Sequence, residues 1–423
     1  MLRPDVDQAV EICLDPDRMR AHLQPLLAPH GKVEAVRIAK AHRSASRRRD
    51  PHPLVALYEV DVREAGGPAP RTLRCYGKVC RHGVDAHAAT AAASRALQLP
   101  ELALLLWPWP SDAGLPQLAR LLDLDATRPF WGEPAQAVEA LRYEPECRAT
   151  LRYTRPGGEP LYAKTFSDER GAAIHGRFAW FWERSQQDGL APRVARPLHY
   201  AAADRTLWQE SATGTPLREW LDREAGSAWP QALARAIATV HDAPRELAGP
   251  AQQDTAHWLV EVGRRRQKIV RALPDLAGRA GATAAAIERA AQGLPSYAPV
   301  PIHGDFHVDQ VWFDGERIVL FDFDEFALGD PMQDLAAFLV RLPEEQDAQS
   351  FTTPWVQAYA QHAPRHFCPV RLAWHLAVQQ LLRASRAFVF QVPDWRAEVQ
   401  RRLACAESLA QAAQRTSLEE VVQ

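Results

Sequence analysis

Hydrophobic residues recur at helical spacing through most of the C-terminal half of the chain. In residues 228–243, Leu233, Ile237 and Val240 fall on one face of a helix. The same spacing predicts further helices over 255–273, 332–342, 354–362, 370–389 and 393–418. We therefore expect this half of the protein to be mainly helical.

The middle of the chain alternates hydrophobic and polar residues, which is typical of half-buried β-strands. Pro156-Gly157-Gly158 is a tight turn of the kind that joins two antiparallel strands. An amphipathic helix is expected over 169–187, and a second hairpin over 197–211. The alternating strands are predicted over 137–142, 148–155 and 160–166.

A short β-rich stretch, residues 299–326, interrupts the helical half. Two runs of β-forming residues, 310–313 and 317–321, flank the turn dipeptide Asp314-Gly315. This arrangement predicts a hairpin inside a helical domain.

The first 130 residues contain a faint echo of the middle segment. Residues 56–80 resemble residues 149–166: each has a strand, a Gly/Pro turn and a second strand with one lysine. A helix is expected after each copy, over 84–98 in the first. Either this segment is a degenerate duplicate, or the similarity arose by chance.

Composition excludes several classes of protein. The 423 residues carry a formal net charge of −2, which argues against a general nucleic-acid binder. No apolar run reaches the length of a transmembrane helix, so no membrane partner is expected. The acidic N-terminus lacks the apolar core of a secretory signal, which predicts a cytoplasmic location. Six scattered cysteines form neither a disulfide framework nor a zinc pattern.

The strongest chemical signal lies around the predicted hairpin. Asp305 opens a loop that ends in the carboxamide of Gln310, and Asp322 follows the second strand. Phosphoryl transfer needs divalent metal to neutralise phosphate oxygens and a carboxylate to receive the acceptor proton. Mg²⁺ prefers oxygen ligands such as these. The alternative is that the aspartates only cap turns.

Two segments resemble the aminoglycoside phosphotransferase and choline kinase family, which are small-molecule kinases of the protein-kinase-like fold. HGDFHVDQV, residues 303–311, is similar to the family's His-Gly-Asp loop, and LFDFDEFALGDPMQDLA, residues 320–336, is similar to its metal-binding segment. The resemblance extends more weakly back to about residue 137. It implies an α+β, two-lobed fold with a β-rich small lobe over 131–211 and a helical large lobe over 212–423, preceded here by an extra N-terminal α+β unit, 1–130.

The resemblance also implies roles for the residues of these motifs. Asp305 would be the catalytic base, Asp322 the principal metal ligand, and Asp324 a contact for a second metal. Gln310 takes the position of the family's metal-binding Asn, as in kinases resembling maltokinase. The residues expected to hold the loop in shape are His303, Asp330 and Asp334.

The nucleotide site is implied in the same way. Lys164 lies in an apolar strand of a chain with only five lysines, and would hold the α- and β-phosphates. The backbone of the segment after the last strand would face adenine, at Gln209, Glu210, Ser211 and Ala212. The helix turn that usually supplies a glutamate, residues 174–177, contains no acid, and Glu169 or Glu183 would have to substitute.

These features predict an ATP-dependent phosphotransferase that uses Mg²⁺ and phosphorylates a hydroxyl of a small molecule, a sugar or amino-sugar derivative. GTP as donor and the oligomeric state stay open. The predicted helix 370–389 favours a neutral or anionic acceptor over a polycation, because its polar and aromatic residues include Trp374, His375, Gln379, Gln380, Arg383 and Arg386. Glu344 and Glu345 form only a short acidic pair. The alternative function is a catalytically silent kinase-like protein that binds nucleotide or a protein partner.

Overall fold

The computed structural model describes residues 5–43, 52–64, 66–67, 69–87, 95–221, 228–342, 348–389 and 394–414. They form two compact units. The first comprises Met1–Gly171 with His199–Trp208, and the second comprises Ala172–Leu198 with Gln209–Gln423. The predicted segment boundaries at residues 130 and 211 stay predictions.

The first unit begins with two helices and a five-stranded sheet. Val10, Met19 and Leu23 on the helices share a buried core with Leu54 and Tyr58 of the sheet. The strand order is β1-β2-β3-β5-β4. The elements are α1 (Val6–Cys13), α2 (Pro16–Leu27), β1 (Lys32–Arg43), β2 (Leu54–Arg63), β3 (Arg71–Val79), β4 (Leu97–Leu99) and β5 (Leu104–Pro108).

The helix predicted over 84–98 is wrong at its C-terminal end. Val84–His87 forms a short 3₁₀ turn, and residues 88–94 lie outside the described residues. Leu97 and Leu99 pair instead with Leu106 and Leu104 across an antiparallel ladder. Leu97 and Leu99 therefore belong to a strand and not to a helix. Pro100 follows directly, and a proline disfavours the helical conformation in the residue before it.

A second five-stranded sheet confirms the strands predicted in the middle of the chain. Its order, β6-β7-β8-β10-β9, repeats the order of the first sheet. This shared order is what a duplicated half-domain would produce, and duplication stays a prediction. The elements are α3 (Leu118–Leu121), α4 (Arg128–Trp131), β6 (Ala137–Glu144), β7 (Arg148–Thr154), β8 (Leu161–Phe166), β9 (Pro197–Ala201) and β10 (Thr206–Glu210).

The turn between β6 and β7 is bound by the N-terminal segment. Glu146 in this turn has φ +57° and forms an ion pair with Lys78 of β3. Tyr76 donates a hydrogen bond to the same carboxylate at 3.2 Å. The backbone N–H of Glu146 donates to Asp112 at 3.0 Å. Lys78, the counterpart of Lys164 in the first sheet, thus has a structural contact.

The second unit is mainly helical, as predicted. Trp258, Ile287, Trp374 and Leu403 lie in one buried cluster that joins four of the helices. No helix in the described ranges is long and apolar enough to cross a membrane. The helices are α5 (Arg170–Gln187), α6 (Arg218–Leu221), α7 (Trp229–His241), α8 (Thr255–Ala272), α9 (Ala277–Gln292), α10 (Pro331–Val340), α11 (Ala348–His362), α12 (Pro369–Val389) and α13 (Trp395–Ala412).

The structure adds one helix to those predicted and lengthens another. The alanine-rich helix α9 was not predicted, because its apolar positions are mostly alanines that give a weak periodic signal. Helix α11 begins six residues before the predicted start and contains Pro354 in its interior. Glu344 and Glu345 lie outside the described residues.

Two small three-stranded sheets frame the loop that carries the candidate chemistry. One has the order β11-β14-β15 and the other the order β12-β16-β13. The predicted hairpin is confirmed: β14 and β15 pair antiparallel, and Asp314 caps the turn by accepting from the backbone of Arg317 at 2.7 Å. The strands are β11 (Thr215–Pro216), β12 (Gln252–Gln253), β13 (Val300–Ile302), β14 (Val311–Phe313), β15 (Ile318–Leu320) and β16 (Ala327–Gly329).

Candidate active site

The loop between β13 and β14 is held by a buried carboxylate. Asp334 on α10 accepts hydrogen bonds from the backbone N–H groups of His303 at 2.7 Å and Gly304 at 3.0 Å. Gly304 has φ +83°, and a side chain there would collide with the backbone of Glu325. The loop therefore needs glycine at this position. The predicted shaping role of Asp334 is confirmed.

A buried histidine extends this support into two further helices. His241 on α7 contacts Asp334 through Nε2 at 3.2 Å and the hydroxyl of Tyr359 through Nδ1 at 2.6 Å. Burial lowers the pKa of His241, which keeps the ring neutral near neutral pH. The network ties α7, α10 and α11 to one loop, so its backbone is fixed before any substrate binds.

Asp305 lies in this loop with one side partly open. Its Oδ1 accepts a bond from Arg341 Nη2 at 2.7 Å, and His307 Nε2 lies 3.7 Å from Oδ2. Its side chain is 38% exposed. Partial burial raises the pKa of this carboxyl, but His307 and the charge of Arg341 outweigh burial, and the net pKa is lowered. The carboxylate is therefore ionised at neutral pH.

Gln310 and Asp322 meet at the ends of the hairpin strands. Gln310 Nε2 donates to Asp322 Oδ2 at 3.3 Å, and the backbone N–H of Phe321 donates to the carbonyl of Gln310 at 3.1 Å. Asp322 adopts a left-handed backbone, with φ +62°, which is uncommon for a residue other than glycine. His303 Nε2 fixes the preceding carbonyl, that of Phe321, at 2.8 Å.

An arginine on α5 completes the support of this segment. Arg177 donates to the carbonyl of Phe323 at 2.7 Å and to that of Leu247 at 3.0 Å. Burial lowers the pKa of Arg177, while the charge of Asp324 works in the opposite direction. This residue belongs to the helix turn in which the sequence offered no acid. In the sequence, the only indication of this role of Arg177 is a positively charged residue on an otherwise apolar face of the helix.

The donor atoms around Asp322 fit a hard divalent cation. Gln310 and Asp322 offer amide and carboxylate oxygens, and Asp324 follows two residues later in a 3₁₀ turn. Within the described ranges, no three His, Cys, Asp or Glu side chains form a cluster suited to a metal. An ion here would take its remaining ligands from water and phosphate, as Mg²⁺ commonly does.

The predicted nucleotide residues lie in both units. Lys164 of β8, in the first unit, is half-buried opposite Thr150 of β7, with its ammonium 5.6 Å from the ring centre of Phe166. In the second unit, the Glu210 backbone N–H donates to the carbonyl of Arg196 at 2.9 Å. Glu210, Ser211 and Ala212 help line a cavity of about 490 Å³, while Gln209 is not among its lining residues.

Sequence reasoning missed Arg341, the residue that contacts Asp305 most closely. It caps the C-terminus of α10 and lies 36 positions from its partner. Its side chain is 15% exposed. Because the partner comes from a distant loop, no local pattern could have identified the pair.

Comparisons with known proteins agree with this geometry. The model of the APH phosphotransferase enzyme family matches residues 151–375, more than half of the chain. A protein from Ralstonia eutropha described as an aminoglycoside phosphotransferase has a similar structure, with a TM-score of 0.50 and 14% identity over 69% of this chain and 97% of that one. No curated protein matches the chain.

Two further solved structures are similar to this chain. A choline/ethanolamine kinase family protein from Mesorhizobium loti has 17% identity and a TM-score of 0.46 over 72% of this chain and 96% of that one. An aminoglycoside phosphotransferase in complex with AMP-PNP and hygromycin B has 13% identity and a TM-score of 0.49 over 69% of this chain and 99% of that one. The α+β, kinase-like fold predicted from the sequence is confirmed, and the chain belongs to the phosphotransferase enzyme family.

Proposed function

We propose that this protein is a Mg²⁺-dependent kinase that transfers the γ-phosphoryl group of ATP to a hydroxyl of a small molecule, a sugar or amino-sugar derivative. The observation that carries the proposal is the pre-formed loop in which Asp305 is ionised and backed by the Asp334 network, with the Gln310–Asp322 pair at its end.

Asp305 would act as the general base. The acceptor hydroxyl would give its proton to Oδ2 of Asp305, the oxygen beside His307, while its own oxygen bonds to the γ-phosphorus. The bond from that phosphorus to the β,γ-bridging oxygen breaks, which releases ADP. Arg341 would orient the carboxylate through Oδ1, and Oδ2 would receive the acceptor.

Gln310 and Asp322 would hold Mg²⁺, and Asp324 would contact a second ion. The ion, when bound, neutralises charge on the transferred phosphoryl oxygens. Lys164 would hold the α- and β-phosphates, and the backbone of Gln209, Glu210, Ser211 and Ala212 would bind adenine. We include in this proposal that Gln310 replaces the family's metal-binding Asn, as in kinases resembling maltokinase.

A catalytically silent, nucleotide-binding protein is the second candidate. The observation in its favour is the ion pair of Arg341 with Asp305, which occupies one oxygen of the base. The retention of Lys164, Asp305 and Asp322 together argues for catalysis, because a silent protein needs no base.

Calorimetric titration of ATP with and without Mg²⁺, followed by an assay of ADP formation with a panel of hydroxyl compounds, tests the proposal. We expect Mg²⁺-dependent binding with a Kd between about 1 µM and 1 mM, and ADP release that depends on an acceptor. Absence of binding at millimolar ATP would contradict the kinase proposal. Binding without turnover on any acceptor would favour the silent protein.

The two counterpart lysines should behave differently. Lys78→Ala removes the partner of Glu146 and should lower the free energy of unfolding by about 1–3 kcal/mol, with turnover within about threefold of wild type. Lys164→Ala should weaken ATP binding by about tenfold or more, because a phosphate partner is lost. Denaturant unfolding and ATP titration of both variants measure this. Equal losses of ATP affinity would mean that Lys78 also serves the nucleotide.

A further inference from the structure

Helix α12 presents two arginines on one face. Arg383 and Arg386 are three residues apart, a spacing that places side chains side by side on a helix. Both are half-buried, and their neighbours Leu382, Ala384 and Ala387 are buried. A guanidinium group that burial removes from water needs a carboxylate or carbonyl oxygens to replace that water.

Among the residues that the structure describes, neither arginine has such a partner. Across the described ranges, no carboxylate lies within ion-pair distance of Arg383 or Arg386, and neither donates a hydrogen bond. The carboxylates in this region are each bonded to another arginine. These pairs are Asp305 with Arg341, Glu261 with Arg264 and Arg265, and Glu398 with Arg401 and Arg402.

The surrounding charges are mainly positive. Burial, followed by the charges of neighbouring arginines, lowers the pKa of Arg383 to about 10. Burial and then the charges of Arg341 and Arg265 lower the pKa of Arg386, while the charge of Asp305 works in the opposite direction. Burial, and then the charges of Arg265 and Arg386, lower the pKa of Lys268 on α8, while Glu261 works in the opposite direction. The cluster therefore reaches from α12 to the candidate base.

We propose, on the basis of the kinase function proposed above, that the acceptor carries a phosphate or carboxylate group that Arg383 and Arg386 bind close to Asp305. Arginine suits this role because its planar guanidinium matches both anions with two parallel hydrogen bonds. An anion would supply the negative charge that this side of the site lacks, and would place a hydroxyl of the same molecule near Oδ2 of Asp305.

The choice of arginine alone would mean little, since this chain has 45 arginines and five lysines. The informative features are partial burial without a partner among the described residues and the electrostatic interactions of Arg386 with Arg341 and Asp305, which are themselves bonded to each other. The arginines would repel a polycationic acceptor. A neutral acceptor would leave the repulsion among the arginines uncompensated. Both arginines would therefore determine acceptor specificity.

Thermal unfolding in inorganic phosphate tests the anion site, with chloride at equal ionic strength as the reference. We expect phosphate to raise the Tm of the wild type, and the double substitution Arg383→Gln/Arg386→Gln to weaken phosphate binding by about tenfold or more. Arg266→Gln, an exposed arginine on α8, is the matched control and should respond like wild type. Without phosphate, the double variant should unfold at the same or a higher temperature, because mutual repulsion is relieved. A purely structural role would lower that temperature.

A wild type with no response to phosphate, or an equal response in the double variant, would overturn the inference. ADP formation is then measured with phosphorylated sugars, sugar acids, neutral sugars and amino sugars, which distinguishes a phosphate from a carboxylate as the anion. Turnover of phosphorylated sugars or sugar acids supports the inference. Turnover confined to neutral or cationic compounds overturns it. Titration of Mg²⁺ and ATP distinguishes a failure of the anion-site inference from a failure of the kinase proposal. The double variant should bind ATP like wild type, whereas a failed kinase proposal removes ATP binding from every variant.

Discussion

Asp305→Asn should lower turnover by about a hundredfold to ten-thousandfold while Mg²⁺-dependent ATP binding stays within about threefold of wild type. Asparagine has nearly the same shape as aspartate and still accepts the bond from Arg341, but it does not take up the hydroxyl proton. The loss should therefore appear in kcat, because the loop and its support by Asp334 are unchanged.

Asp309→Asn is the matched control for this substitution. It makes the same chemical change four residues further along, at a side chain that is 61% exposed and paired with Arg218. We expect near wild-type turnover from it. Single-turnover ADP formation and ATP calorimetry on both variants separate chemistry from binding. Near-normal turnover of Asp305→Asn would remove this residue from the mechanism.

Asp322→Asn should abolish the effect of Mg²⁺ on ATP affinity, and turnover should fall by at least about a hundredfold. The substitution replaces a charged metal ligand by a neutral one, and hard divalent cations bind charged oxygens more strongly. The amide can still bond with Gln310, so the hairpin end should keep its structure. The measurement is calorimetry of ATP with and without Mg²⁺ on wild type and variant.

Glu316→Gln on the same hairpin serves as the control, since Glu316 lies at the exposed turn. It should keep the full response to Mg²⁺. If Asp322→Asn also keeps that response, the metal does not bind at Asp322, and the roles proposed for Gln310 and Asp324 fail with it.

Much of the secondary structure followed from local pattern. Alternation over 148–155 and 160–166 predicted β7 and β8, and the turn residues Asp314-Gly315 predicted the β14–β15 hairpin. Such signals are local because hydrogen bonding and burial within one element repeat every two or 3.6 residues. The sequence pattern did not predict the alanine-rich helix α9, because small side chains produce little difference in hydrophobicity between its two faces.

The sequence by itself determined the family and the kinase-like fold, and it predicted the candidate base and metal ligands, because the residues that carry them lie in short motifs with their own spacing. Only the tertiary structure decided what surrounds them. Arg341 reaches Asp305 across 36 positions, and Arg177 reaches the carbonyl of Phe323 across 146. The cation cluster of Arg383 and Arg386 likewise arises where separate helices pack together. Partners, burial and net charge at a point in space depend on chain segments far apart in sequence, and folding alone brings those segments together.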